Sequence, residues 1–238
     1  MIARTTALLL LAAFPGWCAI ARVNSAVGNG DADSTTIAAG ALNTTTGNAL
    51  FVFITQEYPA ITITGIADTA SNTYVSNAAC KIDTDRGTAE IWWSLNVTGN
   101  ASNVVTATFS GMGAYRRIAV VQYSGVGSFD VCALINADNS NNPTVSASFT
   151  PGAAGNTNLF CAAGNNTMTW SSSGSYTAFI TSEGGNTGCG DFIGAGSGSQ
   201  TGQLANGGSS SWKIGEVISL IPAGAAPAAM RRRTIRFQ

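Results

Sequence analysis

Asn29, Asp31 and Asp33 stand at alternate positions, N-x-D-x-D, and Asp83, Asp85 and Glu90 form a second acidic group around Gly87. Oxygen ligands at alternate loop positions are the type that holds Ca2+. Neither run completes the twelve-residue loop with a terminal Glu, so solvated loop carboxylates are the plainer reading and a calcium site the sharper one. Two acids facing each other across a cleft would instead serve glycoside hydrolysis, one protonated and one ionised. Glu90 with Glu57 or Glu183 is the combination the chain offers for that chemistry. A third candidate is FSGMGAYRR, residues 109–117. A phosphate-binding glycine loop delivers its ligand to a helix N-terminus. Here Arg116 stands where a third glycine would complete G-x-G-x-x-G, and the run that follows, YRRIAVVQY, is strand-like. A hairpin loop is therefore expected, with Arg116 and Arg117 on opposite faces and one of them paired with a carboxylate at the rim.

The aromatic residues point to binding rather than catalysis. Trp92 and Trp93 are adjacent on one expected strand, so one ring faces outward if the other faces the core. An exposed indole stacks on the apolar face of a sugar, and Trp170, Tyr176 and Trp212 would extend such a platform; the plainer alternative buries both tryptophans between sheets. Histidine is absent, which removes Ser-His-Asp and Cys-His catalysis and any His-ligated zinc. No catalytic residue is assigned, and no cofactor beyond the calcium candidates. Between Arg22 and Met230 there are six basic and twelve acidic residues. That mildly acidic body argues against a nucleic-acid platform.

The N-terminus, MIARTTALLLLAAFPGWCAIA, has a positive start, a short apolar run and an A-x-A site at Ala19–Ala21. It reads as a secretory signal peptide over residues 1–21, too short to span a bilayer. Residues 222–238 are an Ala/Gly/Pro-rich tail with Arg231, Arg232, Arg233 and Arg236. Four cysteines remain after the leader, and an even count in an exported chain suggests two disulfides with three connectivities open. Cys132 and Cys161 both fall in expected strands, which favours Cys132–Cys161 and then Cys80–Cys189; four buried thiols are the other reading.

The intervening body, residues 22–221, is expected to be a single domain. It shows period-two runs separated by Thr-Gly-Asn, Ala-Ser-Asn and Asn-Asn-Pro clusters, with no helical period. Val104–Phe109 alternates cleanly, whereas Leu50–Ile54 and Ile118–Val121 are apolar on both faces, as in the middle of a packed sheet or beneath a neighbouring chain. About eleven short strands at this spacing predict an all-β, antiparallel, jelly-roll-like β-sandwich.

The run ITITGIADTASNTYV, then AEIWWSLNVTGNASNVVTATFSGMGAYRRIAVVQYSGV, resembles uncharacterised β-sandwich modules of secreted bacterial proteins. The resemblance rests on Asp68, Asn72 and Tyr74 in a D-x-x-x-N-x-Y turn, on the NVTG segment from Asn96, and on R-x-I-x-V-x-x-Y-S-G-V from Arg116. It covers roughly residues 43–131, and GIADTASN departs from it where a glycine is expected. It implies a fold and export, without an activity. The expectation is thus a secreted, non-enzymatic module that contacts an extracellular surface, polymer, glycan or partner protein, with a Trp92/Trp93 carbohydrate-binding domain as the alternative. A glycan hydrolase, and self-association into filaments through sheet edges, follow behind.

Overall fold

The computed structural model describes residues 19–57, 60–84, 87–138, 144–152, 154–164, 168–181, 186–207 and 212–224. They form antiparallel strands, with no helix among them. The first half contains β1 (Ala21–Gly30), β2 (Ser34–Ala38), β3 (Leu42–Thr44), β4 (Ala49–Gln56), β5 (Ile63–Asp68), β6 (Val75–Thr84), β7 (Gly87–Ser94), β8 (Asn100–Asn103), β9 (Val105–Gly113) and β10 (Arg116–Ser124). The second contains β11 (Val126–Asp138), β12 (Thr144–Phe149), β13 (Asn156–Gly164), β14 (Thr169–Ser172), β15 (Thr177–Ile180), β16 (Thr187–Ala195), β17 (Gln200–Gly207) and β18 (Trp212–Pro222).

The two halves repeat one topology. A five-stranded sheet in the order β1-β10-β4-β7-β6 is matched by β11-β18-β13-β16-β15, and a three-stranded sheet β2-β9-β5 by β12-β17-β14. Only the small β3-β8 ribbon has no counterpart among the described residues. Register carries the match to single residues. Val121 pairs with Phe51 as Ile218 pairs with Leu159, so Arg116 corresponds to Lys213, Ala119 to Glu216 and Tyr123 to Leu220. Even the turns agree: Gly47 and Gly155, both at positive φ, lead into β4 and β13. The body expected as one sandwich is therefore a tandem pair.

The halves stack through their five-stranded sheets. One core combines Phe51, Phe53, Ile91 and Val121 of the first with Leu159, Cys161, Ile214 and Ile218 of the second. Two further cores lie between each five-stranded sheet and its own three-stranded partner, around Val52, Ala107 and Val120 and around Phe160, Trp170 and Leu204. The result is four layers and three cores. This is why β4 and β13 are buried along their whole lengths: each is covered on both faces, as the two-sided apolar run Leu50–Ile54 predicts. The outermost faces carry uncharged side chains such as Thr36, Thr108, Ser146 and Thr201, all exposed.

Every edge strand of the five-stranded sheets is bulged. Register shifts fall at Arg22/Asn24 in β1, Ser76/Lys81 in β6, Val126/Ser128 and Phe129/Cys132 in β11, and Ala178/Ile180 in β15. The β10-β4-β7 ladders run without a shift. Bulges on edges interrupt the unpaired row of N–H and C=O groups that another chain would extend.

Several expectations are corrected. The described residues hold more strands than the eleven read from periodicity, because β1, β11, β14, β16 and β17 fall where glycine, serine and asparagine interrupt the apolar alternation. Gly111–Tyr115 is an arch rather than a hairpin: β9 and β10 belong to different sheets. The cysteines pair as Cys80–Cys132 and Cys161–Cys189, not as Cys132–Cys161 and Cys80–Cys189. Cys161 and Cys189 are direct cross-strand partners on β13 and β16, and Cys80–Cys132 staples edge strand β6 to edge strand β11. Of the expected leader, residues 1–18 lie outside the described ones. Ile20 is packed in the central core and Ala21 opens β1, so a cut after Ala21 would remove a buried side chain. Residues 225–238 of the tail also lie outside the described ones.

The central core predicts a measurable asymmetry. Phe51→Ala, which empties part of the seam, should cost about 3–5 kcal/mol in chemical denaturation. Thr201→Ala on an outer face should stay within about 0.5 kcal/mol of the parent. Replacing Cys80 and Cys132 by Ser should cost about 2–4 kcal/mol.

Candidate functional site

Antiparallel pairing places the turns of both halves at a common end. Gly30 pairs with Arg116, Thr55 with Arg117, and Thr84 with Gly87 in the first half. Gly164 pairs with Lys213 and Ala163 with Thr187 in the second. The Arg117 Nε donates to Asn186 Oδ1 at 2.7 Å and so brings the two ends together. The described residues begin at Ala19 and finish at Gly224 by the opposite end, where Ala21 pairs with Ser124 and Val126 with Pro222.

The tandem arginines organise this end, one on each face of β10. Arg116 is buried, lies 4.0 Å over the Phe109 ring, and donates to Gly111 O at 2.8 Å and to Ser34 O. It clamps the β9–β10 arch from inside, so the glycines hold a guanidinium rather than a phosphate. The clamped arch presents Met112 and Tyr115 to solvent, 66% and 49% exposed, and Tyr115 holds a left-handed backbone at φ 55°, a conformation that disfavours bulky residues. Arg117, on the other face, donates Nη1 to Arg116 O at 2.8 Å and pairs through Nη2 with Asp31 Oδ1 at 2.8 Å. This is the rim ion pair the sequence predicts. Asn186 in turn donates to Gly164 O and accepts from Trp170 Nε1 at 3.1 Å through its own carbonyl.

The acidic candidates lie at this end but do not converge. Asp31 is taken up by Arg117, with Asn29 Nδ2 donating to its other oxygen at 3.3 Å. Asp83 faces Lys81 Nζ at 3.5 Å and accepts from Thr88 Oγ1. No cluster of three metal-ligating side chains occurs among the described residues; Asp33 is exposed at the β1–β2 turn, and Asp85 lies outside them. Burial raises Glu57 above the usual carboxylate range, Arg117 lowers it and Asp31 raises it. Burial also raises Glu90, against a bond from Trp92 Nε1 at 3.0 Å and the charge of Lys81, with Asp83 adding to the rise. The two carboxyls thus answer to different neighbours. Glu183 lies outside the described residues.

The aromatic platform is not assembled. Trp93 is buried in the seam, stacked on Phe129 with ring centres 4.7 Å apart. Trp170 and Tyr176 are buried in the second half's outer core, and Trp170 packs where a side chain on Gly188 would stand. Among the described side chains of this set, Trp92 alone keeps partial exposure, with its N–H on Glu90. Trp212 opens β18 at the loop end, and its side chain lies outside the described ones. Sequence reading missed Met112 and Tyr115; the signal available was an apolar residue inside a glycine turn.

The D-x-x-x-N-x-Y turn is structural. Asp68 accepts from Ala70 N, Asn72 N, Asn72 Nδ2, Tyr74 Oη and Asn103 Nδ2, all within 3.1 Å. Burial would raise its carboxyl, but the bonds from Asn103, Asn72 and Tyr74 outweigh that and hold it low. Its partners knit β5, the β5–β6 turn and β8 together, and Asn72 reaches the NVTG segment, accepting from Thr98 N at 2.7 Å and donating to Thr98 O at 3.3 Å. No family model matches the chain, and no curated protein sequence matches it.

Asp68→Ala should destabilise by about 2–4 kcal/mol, since several donors lose a charged acceptor. Because its folded carboxyl is lowered, its contribution is complete above the unfolded value of 3.8 and fades as pH falls further. The gap between parent and variant melting temperatures should therefore narrow in acid.

Proposed function

We propose that the protein is a secreted, non-enzymatic contact module, jelly-roll-like in each half, whose loop end meets an extracellular surface, polymer or partner protein. The observation that carries this reading is the clamped arch: Met112 and Tyr115 stand in solvent on a turn fixed by a buried arginine, among the turns of both halves. Binding residues concentrate on loops that a rigid scaffold positions, and a fixed aromatic side chain loses little entropy when it makes contact. Two disulfides agree with an oxidising compartment. Bulged edges weigh against filament growth by strand addition. Glycan stacking remains the second reading, now favoured by partly exposed Trp92 and by Tyr115 rather than by a Trp92/Trp93 pair.

A panel of immobilised polysaccharides and surface extracts tests this with the full chain. Met112→Ser with Tyr115→Ala should weaken retention at least about tenfold, the loss of roughly 1.4 kcal/mol or more, while Thr201→Ala leaves it unchanged. Retention that survives the arch variant overturns the loop-end reading. Loss in Trp92→Ala alone transfers the site to β7. Turnover of any glycan, abolished in Glu90→Gln, overturns the non-enzymatic assignment.

A further inference from the structure

We infer that the seam between the two halves is a proton-dependent latch: Glu216, sealed between the five-stranded sheets, lets β18 close on β7 only while its carboxyl is neutral. Glu216 shares its face of β18 with Ile214 and Ile218, both in the central core. It is fully buried, and neither carboxyl oxygen has a partner of hydrogen-bond geometry. Most buried polar atoms are satisfied, and an unpaired buried charge is among the costliest features a fold can contain. The matching position in the first half is Ala119, also in this core. The packing scheme therefore works without an acid, and the second half departs from it at one position.

Among the described residues no cation faces it: the basic side chains are turned away or engaged elsewhere. Its cross-strand neighbours are Cys161, held in a disulfide, and Leu134. Across the seam lies β7, whose Ile91 backbone amide alone favours the ionised form, while the charge of Glu90 opposes it. Lys213, on the same strand, projects from the opposite face. Lys81 acts on Glu90, and Arg22 and Arg117 are engaged by Asp191 and Asp31. Burial first and Glu90 second push the Glu216 carboxyl well above its ordinary 4.5. A folded value above the unfolded one means that the seam is fully stable below about pH 4.5 and loses stability as pH rises toward the folded value. Buried glutamates are known to titrate as high as about pH 8–9. Loosening stays local, because Cys80–Cys132 ties one edge of the stack and Arg22–Asp191 the other.

The experiment uses the oxidised full chain between about pH 5 and about pH 9. Melting temperature is followed across the range, and amide exchange, corrected for its intrinsic pH dependence, is compared between β7/β18 and β2/β9. The parent should lose melting temperature as pH rises, with seam amides losing protection at least about tenfold more than β2/β9 amides. Glu216→Gln, and Glu216→Ala, which copies the other half, should flatten both trends. The inference is overturned if either variant folds and still follows the parent's pH profile, or if β2/β9 amides loosen as much as the seam.

Discussion

The apolar contact between the two five-stranded sheets is the constraint on which the rest depends. Each of those sheets is apolar on both faces, so neither half can stand in water with its inner face bare. Stacking the halves solves this for both at once. The contact has the reciprocity of an isologous interface, in which each side supplies the other's complement. The stack of Trp93 on Phe129 occupies the position that Asp191 and Arg22 occupy in the mirrored pair. Tyr123 Oη adds a bond to Asp191 at 2.9 Å, and Arg22 lies 4.0 Å over the Phe179 ring. One side of the seam is thus held by ring stacking and a disulfide, and the other by charge.

Much of the sheet structure was legible residue by residue. Val105, Ala107 and Phe109 face inward, as the alternation requires. The two-sided runs in β4 and β10 are central, as their composition requires. The duplication was not legible, because matched positions differ chemically: Arg116 against Lys213, Phe53 against Cys161, Trp93 against Asp191. Hydrophobic period is preserved while identity is not, and period alone does not announce a repeat. The disulfide pairing followed the same fate. Cys132 opposes Cys80 only once the second half folds back over the first, a fact of stacking that strand spacing does not contain.

The candidate residues were legible as types but not as a constellation. Asp31, Asp83, Glu57, Arg116 and Arg117 do gather at one end, since antiparallel strands return their turns to common ends. There, however, both arginines are buried, Arg116 on the carbonyls of Gly111 and Ser34 with its Nε unpartnered and Arg117 on Asp31 and Asn186, so their charge holds arches and seam. What reaches solvent there includes the carboxylates of Asp31, Asp33 and Asp83 beside apolar Met112 and aromatic Tyr115. Trp92 and Trp93 were read as a surface because adjacency on a strand suggests one outward ring; in a sheet covered on both faces Trp93 enters the seam and Trp92 packs against the outer core, keeping partial exposure, while Trp170 and Tyr176 lie in the second half's outer core.

Both ends of the described chain emerge from the pole opposite the clamped arch. Ala21 and Pro222 thus lie at the far end of their strands from Met112 and Tyr115, so contacts made beside them leave the arch uncovered. The length of the ten-residue β1 and the nine-residue β10 is what separates the two poles.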